Sequence, residues 1–155
     1  SSSGFNYRMN EMQGAVGLAQ LKKLDYIVSK QRENAKLIKD AISDLPIKMR
    51  TIPSNSFETS DAVIFITENN NKARQIRDAL INSGIGTKIL PEAISWHFAG
   101  FWDHMNELKE HNGGDLKSQF PTSLKLLNSS VSIPINVKMD NDIASKIRSA
   151  IISIL

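Results

Sequence analysis

The longest regular pattern in the chain is an apolar periodicity running from about Met9 to Asp44. Met9, Met12, Val16 and Ala19 recur at spacings of three or four, followed by Leu24, Ile27 and Val28, and then by Ala35, Ile38 and Ile42. That is the repeat of a helix with an apolar face. Charged residues fill the other face, and Pro46 closes the segment. At about 1.5 Å of rise per residue, an unbroken helix of this length would extend roughly 50 Å, more than one small domain covers. The pattern therefore predicts a kink or break near residues 24–28, with the first part belonging to a neighbouring layer. Gly14 and Gly17 weaken that first part, so close packing there against another backbone is expected.

Beyond Pro46, strand and helix signals alternate. Ile47–Ile52 reads as an edge strand ending at Pro53, and residues 61–67 (Asp-Ala-Val-Ile-Phe-Ile-Thr) as the strongest strand, a short β-branched apolar run. Residues 69–71 form a break and N-cap region. Residues 72–83 then place Ala73, Ile76 and Leu80 on one helical face, stopped by Gly84. A short strand is predicted over 86–90. Residues 92–120 are irregular and aromatic, with Trp96, Phe98, Phe101 and Trp102. A short helix over 118–128 opened by Pro121, a strand over 130–134 and an amphipathic helix over 140–155 built on Ile143, Ile147, Ile151 and Ile154 complete the chain. The expected organisation is a helical segment, residues 1–45, followed by one small α/β domain, residues 46–155.

At 155 residues, with 41% hydrophobic and 23% charged, the chain is long enough for one sizeable core and is not disordered throughout. Its apolar runs are too short for a membrane span, and the initial Ser-Ser-Ser-Gly lacks the features of a signal peptide. With no cysteine, disulfides, thiolate metal sites and cysteine nucleophiles are excluded, and a reducing cytoplasm is the expected compartment. Nineteen basic minus sixteen acidic residues give +3. These charges are dispersed without interleaved aromatics, so no nucleic-acid partner is expected. His97 and His104 lie seven apart near Glu92 and Asp103, not at the spacing of a zinc site, and no metal is expected. Gly84-Ile-Gly86 lacks the rest of a dinucleotide fingerprint, and no G-x-S-x-G elbow occurs. The residues alone describe a soluble α/β domain with an aromatic, histidine-bearing loop. A non-catalytic binding, dimerisation or regulatory module stays open beside an enzyme.

Residues 4–25 add more. Gly4-Phe-Asn6-Tyr7-Arg8-Met9-Asn-Glu11-Met-Gln13-Gly-Ala-Val-Gly17-Leu-Ala-Gln20-Leu-Lys-Lys-Leu24-Asp25 resembles the signature G-x-N-x-R-M-x-E-x-Q-A-A-I-G-x-x-Q-L-x-x-L-D of the DegT/DnrJ/EryC1/StrS family of pyridoxal-phosphate (PLP) sugar aminotransferases. Collinear similarity continues through Arg32 and Ala35 to the segment Ser132-Ile-Pro134-Ile ahead of the terminal helix.

The resemblance implies a fold-type-I aminotransferase whose C-terminal part is a small, mostly antiparallel sheet covered by helices. It implies a homodimer that moves an amino group, usually from glutamate, to a keto- or aldehydo-sugar. The lysine that forms the Schiff base with PLP, and the aspartate on its ring nitrogen, lie upstream of the signature in this family. They are expected to precede Ser1, leaving this chain with no catalytic residue and inactive alone. Asn6 matches the asparagine that reaches the PLP phosphate of the neighbouring subunit. Tyr7, Arg8, Trp96 and His97 are the expected substrate-binding residues, His97 standing where relatives carry a histidine facing the sugar. The stretch Trp96–Met105 resembles a subgroup acting on octulosonate-type sugars of lipopolysaccharide.

Overall fold

The computed structural model describes residues 8–87 and 94–155. The long periodic segment folds as two helices, α1 (Glu11–Leu21) and α2 (Leu24–Ala41), separated by a turn at Lys22 and Lys23. The break falls just ahead of the window the periodicity marked. Helix α1 opens on a capping box: Asn10 Oδ1 accepts the Gln13 backbone N–H at 2.8 Å, and Gln13 Oε1 accepts the Asn10 N–H at 2.9 Å. Two orphan donors are thereby satisfied. No residue of α1 is buried, and a Cβ added at Gly17 would meet nothing within 4 Å. Among the described residues, the close backbone packing expected at the two glycines is not made. Met12 is 77% exposed, and Met9, Val16 and Leu24 are exposed with it.

Three strands follow: β1 (Lys48–Met49), β2 (Ala62–Ile66) and β3 (Ser130–Pro134), in the spatial order β1-β2-β3 and antiparallel throughout. β3 coincides with its predicted span. β1 is shorter than the predicted Ile47–Ile52. Past Met49 only the Arg50 N–H still reaches a β2 carbonyl, that of Ile64, and Pro53 has no N–H to offer. Of the strand predicted over 86–90, Gly86 and Thr87 lie in a loop and the rest falls outside the described residues.

Alternation along the strands separates two faces. Val63 and Phe65 of β2 and Val131 and Ile133 of β3 point to the core and are fully buried. Against them pack α2 through Ala35 and Ile38, α3 (Asn70–Asn82) through Ala73, Ile76 and Leu80, and α8 (Ile143–Ile152) through Ile147, Ala150 and Ile151. Each large aliphatic or aromatic side chain so buried contributes about 1.5–3 kcal/mol. Helix α3 is bounded by local chemistry. Asn69 Oδ1 accepts the Lys72 N–H, and the chain turns at Gly84 with φ 76° while the Ile85 N–H returns to the Leu80 carbonyl and Gly84 to Ile81. That is a Schellman ending, with Ile85 dropping into the core.

The segment expected to be irregular is a set of short helices: α4 (Ile94–His97), a 3-10 turn at Ala99–Phe101, α5 (Asn106–His111), α6 (Leu116–Gln119) and α7 (Pro121–Asn128). Of these, α7 is tied to the second face of the sheet and α4 lies beside it. Buried Gly100 is their pivot: a Cβ there would stand 2.6 Å from Phe98 Cε1 and 2.8 Å from Lys117 Cγ. The described architecture, a three-stranded antiparallel sheet with helices, fits the small, mostly antiparallel sheet covered by helices that the resemblance implied.

Candidate functional site

The second face of the sheet carries Ala62 and Ile64 from β2 and Ser130, Ser132 and Pro134 from β3, with Ile64 opposite Ser132 in register. Ser130 donates its hydroxyl to the Leu126 carbonyl at 2.6 Å, which ties α7 over this face. Beyond that tie a pocket of about 380 Å³ opens, lined by Arg50, Asp61, Ala62, Ile64, His97, Leu127, Ser132 and Pro134. Apolar walls with a few convergent polar groups are the common composition of small-molecule sites.

Each polar group has a local reason for its position. Arg50 follows β1 and is held by its ladder bond to Ile64 and by Nη2 on Glu58 Oε1 at 2.5 Å. Asp61 precedes β2, its carbonyl accepting the Ile135 N–H at 2.8 Å. Ser132 follows from strand alternation, and His97 ends the one-turn helix α4.

Glu58 anchors the rim. It also takes Lys39 Nζ of α2 at 2.8 Å, while its backbone carbonyl accepts Arg32 Nε at 2.7 Å. Burial pushes the Glu58 carboxyl up, but the hydrogen bonds from Lys39 and Arg50 more than offset this and leave it below the usual carboxylate range. The Arg32 guanidinium stacks on the Phe57 ring at 3.1 Å. Two residues of the collinear similarity thus have structural work here, Arg32 fastening the 57–58 segment and Ala35 filling the core.

The sequence-predicted residues fall in different places. Asn6 and Tyr7 lie outside the described residues. Arg8 is exposed at the start of the described chain and does not line the pocket. Trp96, 79% exposed, and His97 share α4, but only His97 lines the pocket. Sequence reasoning missed Arg50, Asp61 and Ser132. The period-two alternation of β3 could have placed Ser132 opposite Val131 and Ile133, but nothing local pairs it with His97.

The cofactor implied by the resemblance needs a lysine amine to form its Schiff base. Among the described residues no lysine lines this pocket, so the pocket as described does not fit PLP, and no step of its chemistry is assigned to it.

Comparison with known proteins gives a consistent picture. The family model described as the DegT/DnrJ/EryC1/StrS aminotransferase family matches residues 1–152. The GDP-perosamine synthase of Escherichia coli O157:H7 is 32% identical over 85 residues, which are 55% of this chain and 23% of that protein. Helicobacter pylori PseC, an aminotransferase involved in the biosynthesis of pseudoaminic acid, superposes with a TM-score of 0.70 at 20% identity, over 99% of this chain and 39% of its own. A GDP-4-keto-6-deoxymannose-3-dehydratase, solved with a trapped PLP-glutamate geminal diamine, superposes with a TM-score of 0.65 at 23% identity, over 96% of this chain and 37% of its own. The chain spans well under half the length of these relatives.

Proposed function

This chain belongs to the DegT/DnrJ/EryC1/StrS aminotransferase family, and on that premise we propose that it is the C-terminal portion of a PLP-dependent sugar aminotransferase. The full protein transfers an amino group from glutamate to a keto- or aldehydo-sugar, in the cytoplasm, for lipopolysaccharide or another surface glycan. An octulosonate-type sugar is the substrate suggested by the Trp96–Met105 stretch. The cofactor supplies the electron sink for amino transfer, and the lysine that carries it belongs to the part of the protein before Ser1. The chain alone is inactive in this reading. Residues 1–45 form the helical connection and residues 46–155 the small domain. Among the described residues no helix is long and apolar enough to cross a membrane.

The observation that most supports a larger assembly is α1. Its residues Val16, Leu18 and Leu21 are exposed together with Met12, although the helix is apolar around much of its circumference. A helix of that kind is stable when covered on several sides. We therefore assign α1 to the contact with the large domain and the second subunit of a homodimer. The preceding Asn6 then reaches the PLP phosphate of the neighbouring subunit as an amide donor, while Tyr7, Arg8, Trp96 and His97 face the sugar.

Expression of the full-length protein tests this reading. An internal-aldimine absorbance that changes on adding L-glutamate is expected; its absence, with no amino donor turned over, sinks the assignment. Asn6→Ala should release PLP more readily on dialysis, and unchanged cofactor retention would remove the cross-subunit role.

A further inference from the structure

We propose that Glu58 is a specificity-determining residue: its carboxylate occupies a two-cation site made by Lys39 and Arg50 and so closes the adjoining pocket to anionic ligands. This deepens the sugar-aminotransferase reading and rests on it for the anions at stake, since the amino donor of that reaction carries carboxylates. Arg50 is the one permanent cation among the described residues that line the pocket. A free guanidinium there would receive a carboxylate or a phosphate through paired N–H donors. Here Nη2 is held by Glu58 Oε1 at 2.5 Å, while Glu58 Oε2 takes Lys39 Nζ at 2.8 Å. The Glu58 side chain is only 19% exposed, so water and salt screen this pairing less than they screen an ion pair on the open surface.

Fastening the segment around Glu58 does not require the bond to Arg50. The Glu58 backbone carbonyl already accepts Arg32 Nε at 2.7 Å, the Arg32 guanidinium covers the Phe57 ring, and Lys39 ties the carboxylate to α2. The contact with Arg50 is therefore extra to the fastening, and its consequence falls on the pocket. Arg50 and Ile64 also wall a smaller cavity of about 200 Å³ whose lining includes Lys39 and Glu58, so the ion cluster stands directly behind the pocket. Buried Ser60 holds φ at 61°, a left-handed conformation unusual for serine. Through that turn the chain passes from Glu58 on the cations to Asp61 on the pocket lining. An entering anion thus meets Asp61 as a like charge and finds Arg50 countered. Glu58 also competes as a tethered group, without the loss of translational freedom that a free anion bears on binding.

The test labels arginines of the full-length PLP-loaded protein with phenylglyoxal and follows Arg50 by peptide mass spectrometry. Inorganic phosphate is the probe anion, since it shields a guanidinium that it occupies. In the parent, phosphate is expected to leave the Arg50 labelling rate unchanged. Glu58→Gln keeps the shape and removes the charge, and phosphate should then slow Arg50 labelling about tenfold, the size of one charge-assisted hydrogen bond gained. Lys39→Met loosens the same segment but leaves Glu58 on Arg50, and should bring no phosphate protection. Protection in the parent, none in Glu58→Gln, or equal protection in Lys39→Met and Glu58→Gln would overturn the proposal. Should Glu58→Gln fail to fold by circular dichroism, the parent and Lys39→Met decide: protection in either overturns the proposal, and its absence from both is the expected result. The cofactor absorbance in the same samples separates the two claims. If glutamate leaves it unchanged, the aminotransferase reading fails. If glutamate shifts it while Glu58→Gln gains no protection, only the Glu58 assignment fails.

Discussion

The two faces of the sheet are built from the same strands and are put to different use. On one face Val63, Phe65, Val131 and Ile133 are sealed by three long helices. On the other, Ile64 and Ser132 lie beneath short helices that leave a pocket between α4 and α7. The helices on the first side carry continuous apolar stripes, and close-packed stripes exclude space. The segment on the second side is broken into helices of four to eight residues. Short pieces bridge a face without filling it, so stability is concentrated on one side and binding capacity on the other.

Substitutions can break this division or sharpen it. The largest effect is expected from Phe65→Ala on the sealed face, a loss of about 3–5 kcal/mol in equilibrium denaturation; a loss below 1 kcal/mol would show that this face is not the stabilising one. Gly100→Ala should cost about 1–3 kcal/mol by overpacking against Phe98 and Lys117. It should also disturb the fluorescence of Trp96 and Trp102 on the pocket side, and leave the sealed side intact by amide exchange.

Glu58→Gln comes next, at about 1–2 kcal/mol, because it weakens the hydrogen bonds to Lys39 and Arg50 at the pocket rim. The Glu58 carboxyl lies lower in the folded state than unfolded, burial opposing the shift and the two cations producing it. Its contribution is therefore present above its ordinary value of 4.5 and is lost as pH falls through the folded value. The substitution should flatten the acid side of the stability profile.

A smaller effect is expected at Asp44, whose hydrogen bonds from Arg148 of α8 hold its carboxyl at about 2 instead of 3.8. The stabilisation from this exposed pair should be complete above pH 3.8 and fade toward pH 2. Asp44→Asn should remove that dependence, and added salt should reduce it in the parent. Last, Ser132→Ala should change stability by no more than about 0.5 kcal/mol, since no hydrogen bond to this hydroxyl within the described residues is lost. A large loss would mean that Ser132 serves the fold and not the pocket.

Much of this fold was legible because its signals are local. The β2 strand follows from a short β-branched apolar run, and α3 from Asn69, the spacing of Ala73, Ile76 and Leu80, and Gly84. The break in the long helical pattern came from length alone. Less legible was the segment 94–128, where aromatic content announced no periodicity and the short helices depend on packing around Gly100. Helix α1 matched its predicted type, and Met9, Met12 and Val16 are exposed, as a segment belonging to a neighbouring layer would be when that layer is absent from the described residues. Apolarity records that a surface is meant to be covered and does not say by what.

The sequence by itself determined the long helices, the strands β2 and β3 and, through residues 4–25, the family. Only the tertiary structure decided that Arg50, Asp61, His97 and Ser132 share one pocket. Their neighbourhood depends on antiparallel register and on α4 and α7 lying over the sheet. Those relations join residues as many as 82 positions apart (132 minus 50), and no short-range propensity encodes them.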